Sequence, residues 1–172
     1  MEDNVEKKPS SKKCLALILI SVMTVGLFNT TKAQRTMKTN KELIIEGFDK
    51  WTKGTGNVFD LIDDDIQWTI AGSSPQAKTY IGKKQFMDEL IIPLNERLSQ
   101  KIVPTIRNIY ADGNMVLVLW DGQATAKDGK PYNASYCWNL QMHNGKIVKG
   151  FAFLDNIAFA DILSRLPGNT HN

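Results

Sequence analysis

Three tight turns in succession constrain this chain more than anything else in it. Asp112-Gly113-Asn114, Asp128-Gly129 and Asn144-Gly145 separate four strand-like stretches, residues 101–111, 115–126, 132–143 and 146–154. Asn-Gly and Asp-Gly tolerate the positive φ angles of short hairpin turns, whose twist matches the strands they join. Hairpins in series predict an antiparallel four-stranded meander. Along the third strand the even positions are Tyr132, Ala134, Tyr136, Trp138, Leu140 and Met142, and the odd ones are Asn133, Ser135, Cys137, Asn139, Gln141 and His143. Alternation puts the two sets on opposite faces. The even face is the apolar one and is expected to be concave and buried.

Upstream, the apolar period becomes helical. Thr39 and Glu42 have the Thr-x-x-Glu spacing of a capping box, and Ile44, Ile45, Phe48 and Trp51 then share one helical face. Gly54 and Gly56 end that helix. Asn57 caps a short second helix with Val58, Phe59, Leu61 and Ile62, which Asp63, Asp64 and Asp65 end as a solvated loop. These acids are consecutive, whereas calcium loops place ligands at alternate positions. Ile66 to Ile70 reads as a strand centred on Trp68, and Gly72-Ser73-Ser74-Pro75 turns the chain. A third helix is predicted from about residue 83 to 98, with Phe86, Leu90, Ile91, Leu94 and Leu98 inward. Pro93 inside it calls for a kink or an early end. Asp155 caps a last short helix with Ile157, Ile162 and Leu163. Helices followed by an antiparallel sheet make an α+β layout.

The first 33 residues read differently. Met1 to Lys13 is polar and lysine-rich, and the 14 residues from Leu15 to Phe28 carry no charge. With Thr31 and Ala33 as a small-x-small exit, this predicts a secretory signal peptide over residues 1–33, cleaved near Ala33. The domain is then 34–172, and the product is secreted or periplasmic. An uncleaved membrane anchor is the alternative, and Met37 is a second candidate start. A spanning helix needs about 20 apolar residues, so no stable membrane insertion of the mature chain is expected. Removing the segment leaves Cys137 as the single cysteine, which excludes an internal disulfide. The net charge is +3 and no Lys/Arg run exceeds two residues, which argues against a nucleic-acid partner. Two cysteines and two histidines argue against a structural zinc site. No metal and no cofactor are expected.

Four stretches together resemble a known family: Trp68-Thr69-Ile70-Ala71-Gly72-Ser73-Ser74-Pro75; Tyr80-Ile81-Gly82; Asp128-Gly129-Lys130-Pro131-Tyr132-Asn133 with Tyr136-Cys137-Trp138; and Asn144-Gly145-Lys146-Ile147 leading to Leu154-Asp155. In this order they look like a SnoaL-like, ketosteroid-isomerase-related protein of the nuclear transport factor 2-like superfamily. The resemblance implies a cone-shaped fold. A curved antiparallel sheet, the meander plus one earlier strand, would pack on three N-terminal helices, with a pocket at the open end and frequent homodimers. It does not imply one reaction, since the superfamily holds isomerases, dehydratases, cyclases, epoxide hydrolases and non-enzymatic binders.

Parity then selects the pocket. The concave face is expected to present Trp68, Ile70, Val118, Trp120, Tyr136 and Trp138, with Tyr80 at the edge. As core or as ligand wall these residues serve equally well. The isomerase machinery of the resembled enzymes, a first-strand carboxylate base, a first-helix Tyr and a protonated acid on the third meander strand, is not recoverable. Those positions fall on Ile70, on Phe48 or Trp51, and on Trp138 or Cys137. Asp155 and Tyr136 are the remaining acid–base candidates, Asp155 being favoured as a helix cap over a catalytic group. Two function classes follow: a binding protein for a small apolar or aromatic molecule, and a lyase, isomerase or cyclase acting on a small hydrophobic substrate. A protein-interaction domain, with a filled cone and a large outer apolar patch, is the weaker third. A homodimer through the outer face, which carries Asn139 and Gln141, is expected because one face of an antiparallel sheet is left free.

Overall fold

A computed structural model describes residues 38–165. The signal segment, its cleavage point at Ala33 and the alternative start at Met37 lie outside the described residues. Helix α1 (Asn40–Lys53) opens on the capping box, with the Glu42 N–H donating to Thr39 Oγ1 at 3.2 Å and the Thr39 N–H to Glu42 Oε2 at 2.7 Å. It ends where Gly54 adopts the left-handed conformation. A single 3₁₀ turn, Val58–Leu61, follows under an Asn57 cap. Then come strand β1 (Ile62–Ile70), the short strand β2 (Thr79–Ile81), α2 (Lys83–Phe86), a π turn (Met87–Ile91) and α3 (Ile92–Glu96). The meander is β3 (Leu98–Asp112), β4 (Met115–Ala126), β5 (Pro131–His143) and β6 (Lys146–Leu154), and α4 (Asn156–Ser164) closes the described chain. Asn144 and Gly145 both have positive φ, 48° and 75°, as the type I′ hairpin requires.

The architecture is α+β, a curved, unclosed six-stranded sheet in the order β2-β1-β6-β5-β4-β3 packed on helices. The sheet is mixed: β1 runs parallel to β6, with Trp68 opposite Gly150 and Ile70 opposite Ala152, and every other pair is antiparallel. A long excursion through β2, the helices and the meander separates β1 from β6, so no hairpin dictates their direction.

Local differences from the sequence reading have local causes. Ile62 to Asp65 belong to β1 rather than to a helix end and a loop, because pairing with β6 already begins at Ile62 opposite Ile147. Leu98 begins β3 instead of ending a helix. Pro93 is accommodated at the start of α3 after a π turn. A proline ring in an unbroken helix would clash with the carbonyl four residues back, and the wider turn relieves this. Ile157 is 84% exposed, because Phe159 and Ile162 occupy the face of α4 that meets the sheet.

The core lies between the concave sheet face and the helices. All the even residues of β5 are buried, as are Val116, Val118 and Trp120 of β4. Phe48 of α1 meets Trp120 and Trp138 at ring-centroid distances of 5.5 and 5.7 Å. Gly47 lets the 3₁₀ turn pack against α1, since a Cβ there would stand 2.9 Å from Val58 Cα.

Candidate functional site

One cavity of about 900 Å³ opens in this concave face. Ala152 of β6 is the small sheet residue on the cavity wall, while its neighbour Gly150 is covered by a ring. On β6, Gly150 and Ala152 lie between the large side chains of β1 and β5: Trp68 pairs with Gly150, and Trp138 with Ala152. The Trp68 ring lies over Gly150 so closely that a Cβ at 150 would overlap it. Trp68 and Trp138 meet edge to face at 5.0 Å, and Trp120 stacks flat on Tyr136 at 3.9 Å and 7°. These rings hold one another in fixed orientations, so they form a rigid wall around space they do not fill.

Of the residues chosen by parity, Trp68, Ile70, Trp120, Tyr136 and Trp138 are brought together on this wall. Tyr80 and Val118 do not line it. Tyr80 is 1% exposed, and its hydroxyl donates to the Gln76 carbonyl at 3.0 Å, inside the loop that precedes β2. Val118 lies two residues along β4 from Trp120, fully buried. Trp138 faces the cavity and Cys137 the opposite side. Trp51, Phe59, Phe86, Met87, Leu90 and Leu94 make the helical side of the wall, and of these Met87 carries no signal in the sequence pattern. The three- and four-residue spacing was visible, but which part of that face meets empty space depends on the neighbouring elements. All four tryptophans of the chain, Trp51, Trp68, Trp120 and Trp138, line the cavity.

Charge is confined to the rim. Lys53 and Lys101 are exposed there, Lys83 is half-buried, and Asp60 is the single acid among the described lining residues. Asp155 is not on the wall. Its Oδ1 accepts from the Ile157 and Ala158 N–H groups, both at 3.0 Å, as the N-cap of α4. Inside, the Tyr136 hydroxyl hydrogen-bonds that of Tyr132 at 2.8 Å. Burial, with the nearby Asp155 charge adding to it, raises the Tyr132 hydroxyl to about 12, partly offset by the hydrogen bond it shares with Tyr136. Burial first, then Tyr132 and Asp155, raises Tyr136 well above the ordinary tyrosine range. Both are therefore protonated at neutral pH and act as hydrogen-bonding groups, not bases.

Among the described residues, fold and cavity define an α+β domain built around an apolar small-molecule-sized pocket. The chain belongs to the SnoaL-like domain family, which it matches over residues 46–150. No curated protein matches it. Among solved structures, an NTF2-like protein of unknown function from Burkholderia pseudomallei is similar with a TM-score of 0.61 at 15% identity, covering 75% of this chain and 100% of that one. A protein assigned as a SnoaL-like polyketide cyclase from Jannaschia has a TM-score of 0.58 at 16% identity, covering 74% and 93%. TerC, co-crystallised with polyporic acid, has a TM-score of 0.57 at 17% identity, covering 73% and 98%. At these identities the likenesses show a shared fold.

Proposed function

We propose that this protein binds a small apolar or aromatic molecule in the concave cavity. The carrying observation is the wall itself: four tryptophans border about 900 Å³, and the one carboxylate among the described lining residues, Asp60, is exposed. The TerC complex supports the reading, as a protein of the same fold co-crystallised with polyporic acid. Because every tryptophan borders the cavity, a planar aromatic ligand quenches or shifts the whole intrinsic fluorescence. Titration with a panel of planar aromatic compounds, followed by mass analysis of the recovered ligand, is the test. Saturable quenching with the ligand recovered unchanged supports binding, and absence of quenching across the panel counts against it.

The alternative is a lyase, isomerase or cyclase using Tyr136 and Asp155, and the likeness to the Jannaschia protein favours it. It requires a base, yet Tyr136 is held protonated and one Asp155 oxygen, Oδ1, accepts from two N–H groups of the α4 cap. Turnover lost in a folded Asp155→Asn variant would select this alternative. We also propose export through residues 1–33 and a homodimer through the convex face. Tyr110, Phe151 and Phe153 there are 57%, 41% and 55% exposed, an apolar surface suited to self-association. A sedimentation mass of one chain at micromolar concentration would remove the dimer.

A further inference from the structure

The binding reading leaves the ligand's chemistry open, and the unused polar groups of the cavity narrow it. Most polar side chains on the wall are already engaged. Thr52 Oγ1 donates to the Phe48 and Pro104 carbonyls at 3.1 and 3.2 Å. Asn57 Oδ1 accepts from the Phe59 N–H at 3.1 Å, and Gln100 Oε1 accepts from Thr125 Oγ1 at 2.9 Å. Lys53 pairs with Asp49 at 2.7 Å.

Two buried groups remain, and both donate. Trp120 is 2% exposed and its Nε1–H has no partner among the described residues. Tyr132 and Tyr136 carry two hydroxyl protons and share one hydrogen bond, the only one either hydroxyl makes among the described residues. If Tyr136 were the donor, the Tyr132 proton would be stranded in a buried site, which is the costly arrangement. With Tyr132 donating, the spare proton belongs to Tyr136, the member on the cavity wall. The nearby Asp155 charge, which helps keep both hydroxyls protonated, also disfavours an anion at this inner end. The rim has the opposite preference. Lys83 and Lys101 make no ion pair among the described residues, while the one rim acid, Asp60, accepts from the Asn57 N–H at 2.8 Å through Oδ2.

Resting on the binding function proposed above, we infer that the ligand is a flat apolar ring system with two distinct oxygen groups. A neutral acceptor oxygen, of ketone type, points inward to Tyr136, and an anionic group, of carboxylate type, lies at the Lys83–Lys101 rim. A donor-only interior rejects ligands that lack an acceptor, because the buried donors then stay unpaired. Lysines at the rim act in high dielectric and add a smaller, salt-sensitive preference.

Three matched probes separate these contributions in fluorescence titrations of the full-length protein: a fluorenone carboxylate, the fluorene carboxylate that lacks its ketone, and the fluorenone carboxamide that lacks its charge. The fluorenone carboxylate is expected to bind about tenfold more tightly than the fluorene carboxylate. At low salt it should exceed the carboxamide by about fivefold, a margin that closes at high salt. Tyr136→Phe, which retains the ring stacked on Trp120, should abolish the ketone preference and keep the charge preference. The double variant Lys83→Gln, Lys101→Gln lies at the rim and should do the reverse. Equal affinity for all three probes overturns this inference and leaves the binding function standing. No binding of any probe overturns both. A ketone preference that survives Tyr136→Phe but disappears in Tyr132→Phe shows that the inner donor has been misassigned.

Discussion

Tyr136 and Cys137 are neighbours in the chain and face opposite media. Tyr136 is 7% exposed and stacks on Trp120 inside the cone. Cys137 lies on the convex face beside Leu119 and Phe153, its pairing partners on β4 and β6. The same alternation separates Trp120 from Asp121, which on the convex face pairs with Arg107 and accepts from Ser135 Oγ at 2.7 Å. One face thus packs large rings against each other and against helices, and the other carries partly exposed apolar side chains and a polar network. The difference teaches where energy resides. Concave residues are held by many simultaneous contacts at close packing, whereas the convex ion pair is solvent-exposed and contributes little. Substitutions should therefore act very unequally on the two faces.

The largest effect is expected at Trp138, which touches Phe48, Phe59, Trp68, Trp120 and Tyr136. Trp138→Ala should lower stability by about 3–5 kcal/mol and abolish binding of aromatic ligands; thermal unfolding and fluorescence titration measure both. Gly150→Ala adds only a methyl, but under the Trp68 ring. It should cost about 1–3 kcal/mol by overpacking and change the tryptophan spectrum. Unaltered stability in both variants would mean that the two faces are energetically alike.

Alkaline pH sharpens the comparison further. Tyr132 is raised from 10.0 to about 12 and Tyr136 is raised as well. Their folded-state values exceed the unfolded ones, so the contribution is fully present below pH about 10 and is lost as pH rises toward the folded values. The unfolding free energy from denaturant titrations should fall in that window by up to about 1.4 kcal/mol per pH unit per tyrosine. The double variant Tyr132→Phe, Tyr136→Phe should flatten this dependence; a wild-type curve already flat from pH about 9 to 12 would contradict the buried hydroxyl pair. At Asp155 the effect is smaller. Asp155→Ala removes the α4 cap at about 1 kcal/mol, while Asp155→Asn keeps it; a large loss in the Asn variant would give this carboxylate a role beyond capping. Smallest is Phe153→Ser on the convex face. It should leave monomer stability within about 0.5 kcal/mol and act, if anywhere, on the sedimentation mass.

Much of this was legible from local pattern. The Asn-Gly and Asp-Gly turns define the meander, the Thr39–Glu42 box defines the start of α1, and strand parity assigns Trp120, Tyr136 and Trp138 to the inside. Each depends on residues close in the chain, through backbone φ preferences or the two-residue period. Three features were decided only by tertiary structure. The parallel pairing of β1 with β6 joins segments about eighty residues apart, for which no local signal exists. The cavity wall depends on Ala152 falling between large side chains from β1 and β5, a matter of register across the sheet. Tyr132 and Tyr136 stand four residues apart on one strand, about 13 Å in an extended chain, yet their hydroxyls meet at 2.8 Å. They converge over the small Ala134 on the inside of a curved sheet. Alternation put both on the same face, but curvature, which the whole set of strands and packed helices determines, made them partners.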